Sequence, residues 1–254
     1  MLGYLKNMFK LYISSSLILF IRKIRYKLAR VHVDKKSEIY DILSQSWHDY
    51  KKDLHPKDRR MDILEQKNVK GMSTDNISFF INEIVQRLCK NGVYLEVGTF
   101  QGRSLLSAAL FNPSTRCIAI DNFSQFDEEN NNEAILSDNL KKFMCPQNIE
   151  FHNQDYKQAI RDLFFKEPNL KIDVYYYDGV HTFENQLEGL SIVLPYLQEK
   201  CAILVDDINW EFVSNANKVF IKKNPEFRSV FKIYTKANGS NDWWNGFEVI
   251  TRAP

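Results

Sequence analysis

From residue 93 onward, short apolar runs alternate with amphipathic stretches, and this alternation constrains the fold more than any other feature of the chain. The apolar runs predict strands at residues 93–97, 117–120, 149–152, 172–177, 202–205, 230–234 and 247–251. Apolar residues at helical spacing predict helices at 104–110, 134–143, 156–165, 183–197 and 210–221, and a further helix before residue 91. Strands separated by helices favour an α/β fold with a mostly parallel, seven-stranded sheet and helices on both faces. The last two runs are joined by a loop too short for a crossover helix, so we expect an antiparallel last strand.

The first 72 residues lack this alternation. Residues 1–30 contain seven lysines and arginines and no acidic residue, and their apolar run at 11–21 is too short to span a bilayer. We interpret them as a basic amphipathic extension that either packs on protein or contacts a membrane surface. Residues 31–72 are polar and irregular, which predicts a helical or loop linker before a domain at 73–254.

Composition excludes some classes of function. The net charge is only +2, and most of the excess lies in residues 1–30, which argues against nucleic-acid binding by the domain. The four cysteines, Cys89, Cys117, Cys145 and Cys201, form no CxxC pair, so we expect free thiols and a cytoplasmic protein. The sequence leaves open whether the chain forms a homo-oligomer.

The first predicted strand leads into a glycine-containing loop whose sequence, residues 96–104, is EVGTFQGRS. Gly98 and Gly102 allow a tight turn and a close approach of the backbone to a ligand, and the following helix start favours negative charge. The second strand ends at Asp121, 23 positions after Gly98, where a carboxylate can accept hydrogen bonds from both hydroxyls of a ribose. The pattern G-x-G-x-x-G of dinucleotide enzymes is absent.

Acidic residues follow the fourth and fifth strands. The fourth ends in Asp178-Gly179-Val180-His181, and the fifth ends in Asp206-Asp207. Three carboxylates at neighbouring strand ends would repel each other without a cation, and hard oxygen ligands suit magnesium. Helix capping by one or two of these acids is the alternative.

Together these motifs resemble a known family. The spacing E-x-G-x-x-x-G resembles the first motif of class I S-adenosylmethionine-dependent methyltransferases. The pattern D-G-x-H, followed by an apolar strand ending in D-D, resembles sugar O-methyltransferases of the macrocin and mycinamicin type and, more distantly, catechol O-methyltransferase. The resemblance runs from about residue 92 to 252. It implies a Rossmann-like fold, S-adenosylmethionine as methyl donor, Mg²⁺ or another divalent cation, and a hydroxyl acceptor on a small molecule or sugar.

The resemblance also implies roles for individual residues. The cofactor would be bound by Glu96, Gly98, Thr99, Gly102, Ser104, Asp121, Gln154 and Asp155. The metal would be bound by Asp178, Asp206 and Asp207, and His181, beside Asp178, would take the hydroxyl proton. Catechol enzymes carry asparagine at the place of Asp207, so this chain departs from them toward the sugar enzymes. For Asp155, which precedes a helix, capping of that helix is the alternative.

Two other functions remain open at this point. One is a nicotinamide-dependent oxidoreductase on a related fold, and the other is a non-catalytic cofactor-binding or scaffold protein. Several aromatic residues near the predicted site have ambiguous roles. Trp210, Trp243 and Trp244 either shape an acceptor pocket or pack in the core, and we expect Tyr175 and Tyr176 to fill the sheet.

Overall fold

The computed structural model describes residues 31–51, 55–144 and 146–252, so the predictions for residues 1–30 and Cys145 lie outside the described residues. The described strands are β1 (Val31–Val33), β2 (Val93–Val97), β3 (Arg116–Asp121), β4 (Ile149–Asn153), β5 (Ile172–Tyr177), β6 (Leu197–Val205), β7 (Phe227–Ile233) and β8 (Phe247–Arg252). The described helices are α1 (Glu38–Ser46), α2 (Asp62–Gln66), α3 (Asp75–Leu88), α4 (Arg103–Ala109), α5 (Asn132–Lys141), α6 (Tyr156–Lys166), α7 (Phe183–Ile192) and α8 (Glu211–Lys223). Within these ranges, each helix is too short or too polar to cross a membrane.

All eight described strands form one sheet in the order β1-β7-β8-β6-β5-β2-β3-β4. Strands β2 to β6 run parallel to one another, whereas β8 is antiparallel to both β6 and β7. The Rossmann-like, mostly parallel sheet with an antiparallel last strand is therefore confirmed. From β2 the chain moves through β3 to β4 at one edge, and then returns to place β5 on the other side of β2. Ligands of such sheets bind beyond the carboxyl ends of the strands at this reversal.

The sheet has one strand more than the sequence predicts. Strand β1 pairs antiparallel with β7, in a segment that we expected to be helical or loop linker. Its three residues are too few to show an alternating pattern, so the strand exists only through its tertiary partner. The rest of residues 31–72 is also anchored, because α1, α2 and the loops beside them bury Ile39, Ile42, Leu43, Trp47, Met61, Leu64 and Val69.

Another boundary differs where a proline interrupts a helix. The predicted helix at 183–197 ends as α7 at Ile192, and a 3₁₀ turn, Leu194–Tyr196, follows it. Pro195 lies in this turn and lacks the N–H that a continuing α-helix would need. Strand β6 therefore begins at Leu197, five residues before the predicted start.

Apolar residues fill both faces of the sheet. On one face, α1 and α3 pack an aromatic cluster in which Trp47 and Trp243 both contact Phe80 edge to face. On the other face, α6, α7 and α8 cover Leu95, Ile120 and their neighbours. Trp243 is fully buried in the first cluster, so core packing is its role here.

One buried cation joins the segment before residue 73 to the rest of the domain. Arg103 opens α4 directly after the glycine loop and is only 5% exposed. Its guanidinium contacts Glu65 at 2.5 Å and Asp75 at 2.7 Å, and it donates to the Val69 carbonyl and the Ser78 hydroxyl. Because five N–H donors are shared among these partners, Arg103 fixes the segment around α2 against α3 and α4.

Replacing Arg103 with methionine should destabilise the protein, because the change leaves Asp75 and a buried carbonyl without their partner. We expect a loss of about 2–3 kcal/mol in the free energy of unfolding, near the low end for a broken buried ion pair since Glu65 is half-exposed. Chemical denaturation would measure it. The matched control is Arg59→Met, which removes an exposed pair with Asp62 and should cost at most about 1 kcal/mol. Equal losses in the two variants would contradict the anchoring role of Arg103.

Candidate functional site

A cavity of about 680 Å³ opens beyond the carboxyl ends of the parallel strands. Eight of the residues predicted for the site line it: Gly98, Asp121, Gln154, Asp155, Asp178, His181, Asp206 and Asp207. Four others, Glu96, Thr99, Gly102 and Ser104, do not line the cavity. The cavity therefore joins the predicted cofactor and metal residues in one space, with part of the glycine loop behind its wall.

The two glycines of the loop have backbone conformations that other residues rarely adopt. Gly98 has φ +90° and Gly102 has φ +87°. A Cβ at Gly98 would lie 2.0 Å from the carbonyl oxygen of Asp178, and a Cβ at Gly102 would lie 2.5 Å from Leu136. Conformation favours glycine at both positions, and at Gly98 the backbone neighbour also leaves no space for a side chain, whereas the Leu136 side chain beside Gly102 can move. At Gly98 the neighbour is Asp178, the residue after β5, so the loop lies directly against the residues predicted to bind metal.

Asp121 links the end of β3 to the glycine loop. One carboxylate oxygen accepts the Phe100 N–H at 2.7 Å, and the other accepts the Phe123 N–H at 2.8 Å. Each oxygen keeps a second lone pair, and the side chain is only half-buried. The carboxylate therefore shapes the loop and still faces the cavity.

Glu96 lies beneath this loop and is completely buried. Burial raises the pKa of its carboxyl to about 8, against the opposing effect of the hydroxyls of Tyr94, Thr99 and Ser104. The Tyr94 hydroxyl donates to Glu96 Oε2 at 2.7 Å. With a pKa of about 8, Glu96 is mostly protonated at neutral pH, and it supports the loop from within the sheet.

The two residues after β4 have protein partners of their own. Gln154 Nε2 donates to Asp162 at 2.8 Å. Asp155 Oδ1 accepts from the N–H groups of Lys157 and Gln158 at 3.0 and 3.3 Å, which makes it the N-cap of α6. The capping alternative for Asp155 therefore holds in the structure, while both side chains remain at the cavity wall.

Three side chains at the ends of β5 and β6 converge on one point. His181 Nε2 lies 3.4 Å from Asp178 Oδ1 and 3.0 Å from Asp207 Oδ2. Their potential metal-ligating atoms all lie within 4.8 Å of one another. Asp207 Oδ1 is buried and has no hydrogen-bond partner among the described residues. A buried carboxylate oxygen without a donor is a suitable ligand for a hard cation.

The third carboxylate, Asp206, differs from the other two. It is only 1% exposed, and both of its oxygens accept hydrogen bonds from the protein. Oδ1 accepts the Asp207 N–H at 2.9 Å, and Oδ2 accepts the Tyr176 hydroxyl at 3.0 Å. Burial, followed by the charges of Asp178 and Asp207, raises its pKa well above the ordinary value. The converging set in the structure is thus Asp178, His181 and Asp207, with Asp206 behind it.

The acids strongly favour the protonated form of His181. Burial alone would lower the pKa of the imidazole, but hydrogen bonds and charge from Asp178 and Asp207 outweigh it and raise the pKa to about 10. While both carboxylates are free, the ring is therefore an imidazolium at neutral pH. It can accept a proton only when another positive charge offsets these carboxylates.

Tyr176 is the member of this cluster that the sequence analysis missed. It was expected to fill the sheet, but its hydroxyl contacts both Asp178 and Asp206. Residues i and i+2 of a strand lie on the same face, so its position two residues before Asp178 was the available signal. The signal was weak because Tyr175 and Tyr177 flank it with the same side chain.

Aromatic residues form the outer wall beside Asp207. The rings of Trp210 and Phe212 are parallel within 7°, with centroids 5.8 Å apart, and both line the cavity together with Trp244. The Trp210 N–H donates to the Asp207 carbonyl at 2.9 Å, which fixes the start of α8 relative to the acidic cluster. Trp210 and Trp244 are thus cavity residues, unlike Trp243.

Comparison with known proteins shows what the chain is similar to. A family described as a methyltransferase domain matches residues 95–208. An O-methyltransferase from Bacillus cereus in complex with SAH is 12% identical, with 91% of this chain and 96% of that chain aligned and a TM-score of 0.58. The O-methyltransferase TomG from Streptomyces achromogenes, involved in tomaymycin synthesis and solved with SAM, is 11% identical, with 92% and 96% aligned and a TM-score of 0.57.

CalS11, a TDP-rhamnose 3'-O-methyltransferase of calicheamicin biosynthesis, is 15% identical, with 85% of this chain and 91% of that chain aligned and a TM-score of 0.50. At these identities the solved structures establish a shared fold. No curated protein matches the chain. The family match and the fold confirm the resemblance to class I methyltransferases, and they favour it over a nicotinamide-dependent oxidoreductase.

The buried Glu96 should make stability depend on pH. Its folded pKa of about 8 exceeds the unfolded value of about 4.3, so the protonated group stabilises the fold at low pH. That stabilisation is lost as pH rises through 8. Between pH 5 and pH 9, the free energy of unfolding measured in urea should fall on the order of a few kcal/mol more for the wild type than for Glu96→Gln. The exposed control Glu199→Gln should have the same pH dependence as the wild type. If the wild type and Glu96→Gln have the same pH dependence, the raised pKa of Glu96 is contradicted.

Proposed function

We propose that the chain transfers a methyl group from S-adenosylmethionine to a hydroxyl oxygen, because residues 95–208 match a family described as a methyltransferase domain and the fold is shared with solved O-methyltransferases. The acceptor in this proposal is a small molecule or sugar, and a divalent cation such as Mg²⁺ assists the reaction. The buried free thiols of Cys89, Cys117 and Cys201 support a cytoplasmic setting.

One observation carries the proposal. The same cavity is lined by Gly98 and Asp121 at one side and by Asp178, His181 and Asp207 at the other. A methyl donor and an acceptor oxygen must meet in line for a displacement at carbon, so their sites must share one space. If each acid were only a helix cap, the acids would not need to lie in one cavity.

The residues at the cofactor side fit the parts of S-adenosylmethionine. The loop from Gly98 to Gly102 would pass under the methionine part, where the absence of side chains lets the backbone approach closely. Asp121 would accept hydrogen bonds from the ribose through the lone pairs that Phe100 and Phe123 leave free. Gln154 and Asp155 line the wall where an adenine ring would follow. S-adenosylmethionine would supply the methyl group as a sulfonium.

The residues at the acidic side fit a hard divalent cation. Asp178 and Asp207 offer converging oxygens, and Asp207 Oδ1 lacks a partner within the described part of the chain. A cation held there would lower the pKa of an acceptor hydroxyl and orient its oxygen. It would also offset the two carboxylates that hold His181 in its protonated form.

His181 would then act as the general base. Its Nε2 lies at the cavity between Asp178 and Asp207, and it would take the proton of the acceptor hydroxyl. Bound S-adenosylmethionine would supply the methyl carbon to this oxygen, and its sulfur would leave as the uncharged thioether of S-adenosylhomocysteine. Trp210 and Phe212 would exclude water and present a flat apolar wall to the acceptor.

The cofactor assignment predicts that Asp121→Ala weakens binding of S-adenosylmethionine. Loss of charge-assisted hydrogen bonds to the ribose should lower affinity about 10–100-fold in calorimetry. The matched control is Asp173→Ala, which also removes a strand carboxylate that accepts a backbone N–H, here from Val93 at the opposite end of the sheet. Asp173→Ala should bind the cofactor as the wild type does. Unchanged affinity in Asp121→Ala would remove this residue from the site.

The metal assignment predicts that methyl transfer stops in excess chelator and returns with Mg²⁺. A screen of glycosides and phenols with radiolabelled S-adenosylmethionine would supply the acceptor.

Asp207→Ala should abolish Mn²⁺ binding, whereas Asp207→Asn should keep a weaker site because one oxygen ligand remains. His181→Gln should bind the cofactor and lose about 10²–10⁴-fold in rate, the size of a general-base contribution.

Full activity of the wild type in excess chelator would contradict the metal assignment. If Asp207→Ala and His181→Gln lose rate equally, measuring Mn²⁺ binding together with the rate distinguishes the metal ligand from the base. Only the first variant should lose the cation completely, since an Asp178 oxygen alone cannot replace two carboxylates. Failure to find transfer to any hydroxyl, with intact cofactor binding, would contradict the acceptor class.

A further inference from the structure

The acidic cluster is a closed ring of contacts, and Tyr176 closes it from inside the protein. His181 Nε2 faces Asp178 Oδ1, and Asp178 Oδ2 faces the Tyr176 hydroxyl at 3.3 Å. The same hydroxyl contacts Asp206 Oδ2, and Asp206 Oδ1 accepts the N–H of Asp207. Asp207 Oδ2 returns to His181 Nε2. The carboxylates of Asp178 and Asp206 are each held by two neighbours of the ring, whereas Asp207 is held by its backbone N–H on one side and by its carboxylate on the other.

We propose that Tyr176 is a positioning residue that sets the orientation of Asp178 directly and of Asp207 through Asp206. This inference rests on the proposed function, because the atoms it positions are those assigned to the cation and the base. Tyr176 does not line the cavity, so it would act through the carboxylates it contacts.

The Tyr176 hydroxyl contacts carboxylates that follow two neighbouring strands. Tyr176 lies on β5, and Asp206 follows β6, the parallel neighbour in which Leu204 pairs with Tyr176. A carboxylate at a strand end can rotate about its Cα–Cβ and Cβ–Cγ bonds unless a partner fixes it. The hydroxyl has one proton and donates to one carboxylate at a time, and Asp206 Oδ2 at 3.0 Å is nearer than Asp178 Oδ2 at 3.3 Å. Contact with the phenol oxygen restricts the rotation of both carboxylates, and the tyrosine ring is restrained because it is buried in the sheet.

Asp207 needs such support more than most residues. Its backbone has φ +59°, a conformation that costs free energy for a side chain other than glycine. The hydrogen bond from its N–H to Asp206 Oδ1 stabilises this conformation, and the Tyr176 hydroxyl holds Asp206 in place for it. Asp178 is fixed at its backbone as well, since its N–H donates to the Val97 carbonyl at 2.9 Å.

The chain contains a matched control in the next residue. Tyr175 is also fully buried and donates its hydroxyl to one protein acceptor, the Gly189 carbonyl, at 3.1 Å. It lies on the opposite face of β5 and packs in the other core cluster. Tyr175→Phe and Tyr176→Phe therefore each remove one hydroxyl oxygen from the same strand. Only Tyr176→Phe removes it from the ring of contacts in the acidic cluster.

The experiment measures Mn²⁺ binding by electron paramagnetic resonance in the wild type, Tyr176→Phe and Tyr175→Phe. We expect Tyr176→Phe to lose about 10–100-fold in Mn²⁺ affinity, the usual effect of removing a partner of a metal ligand. Tyr175→Phe should bind Mn²⁺ as the wild type does, and both variants should bind S-adenosylmethionine normally. Unchanged Mn²⁺ affinity in Tyr176→Phe, or an equal loss in Tyr175→Phe, would overturn the proposal.

A second readout does not depend on the metal. The ring ¹⁵N resonances of His181 in the metal-free full chain should shift in Tyr176→Phe and stay in place in Tyr175→Phe, because Asp178 would leave its contact with the imidazole. If the wild type binds no Mn²⁺, the metal part of the proposed function fails, and the ¹⁵N comparison still decides the role of Tyr176. Identical His181 resonances in the wild type and Tyr176→Phe would overturn that role.

Discussion

Strands β2 and β5 meet at their carboxyl ends with no room for a side chain between them. The Asp178 N–H donates to the Val97 carbonyl, and a Cβ on Gly98 would overlap the Asp178 carbonyl oxygen. This contact places the glycine loop and the acidic cluster against each other at the point where the sheet reverses its order. The remainder of the site is arranged around it, because Asp121 lies on one side and the Asp206-Asp207 pair on the other.

The site combines groups that burial alone would make costly. Glu96 and Asp206 are buried carboxyls with raised pKa values, and each is partnered by a tyrosine hydroxyl from the same sheet. Tyr94 and Tyr176 therefore supply donors inside the sheet, where water cannot. Asp178, His181 and Asp207 converge on one point at the cavity, and Asp206 lines the same cavity with both of its oxygens bonded to protein groups. Among the described residues, Asp207 Oδ1 has no hydrogen-bond partner, unlike either oxygen of Asp206.

The amino-terminal part of the described chain supports this arrangement from the side. Strand β1 extends the sheet at β7, α1 buries Trp47 against the aromatic core, and Arg103 ties α2 and α3 to the helix that starts at the glycine loop. The loop and α4 are thus held at both ends, by Asp121 at its backbone and by Arg103 at the helix start. A loop with this support would need little reorganisation to bind the cofactor proposed for it.

The sequence by itself determined the sheet from β2 to β8 and the strand ends at which Gly98, Asp121, Asp178 and the Asp206-Asp207 pair lie, because apolar periodicity is a local property and parallel strands share one edge. Only the tertiary structure decided contacts between distant segments. It added β1, whose three residues carry no periodic signal, and it gave Tyr176 a place in the acidic cluster. It also separated Asp206 from the converging ligands, because which oxygen of a carboxylate meets a donor depends on neighbouring strands that are far apart in the chain.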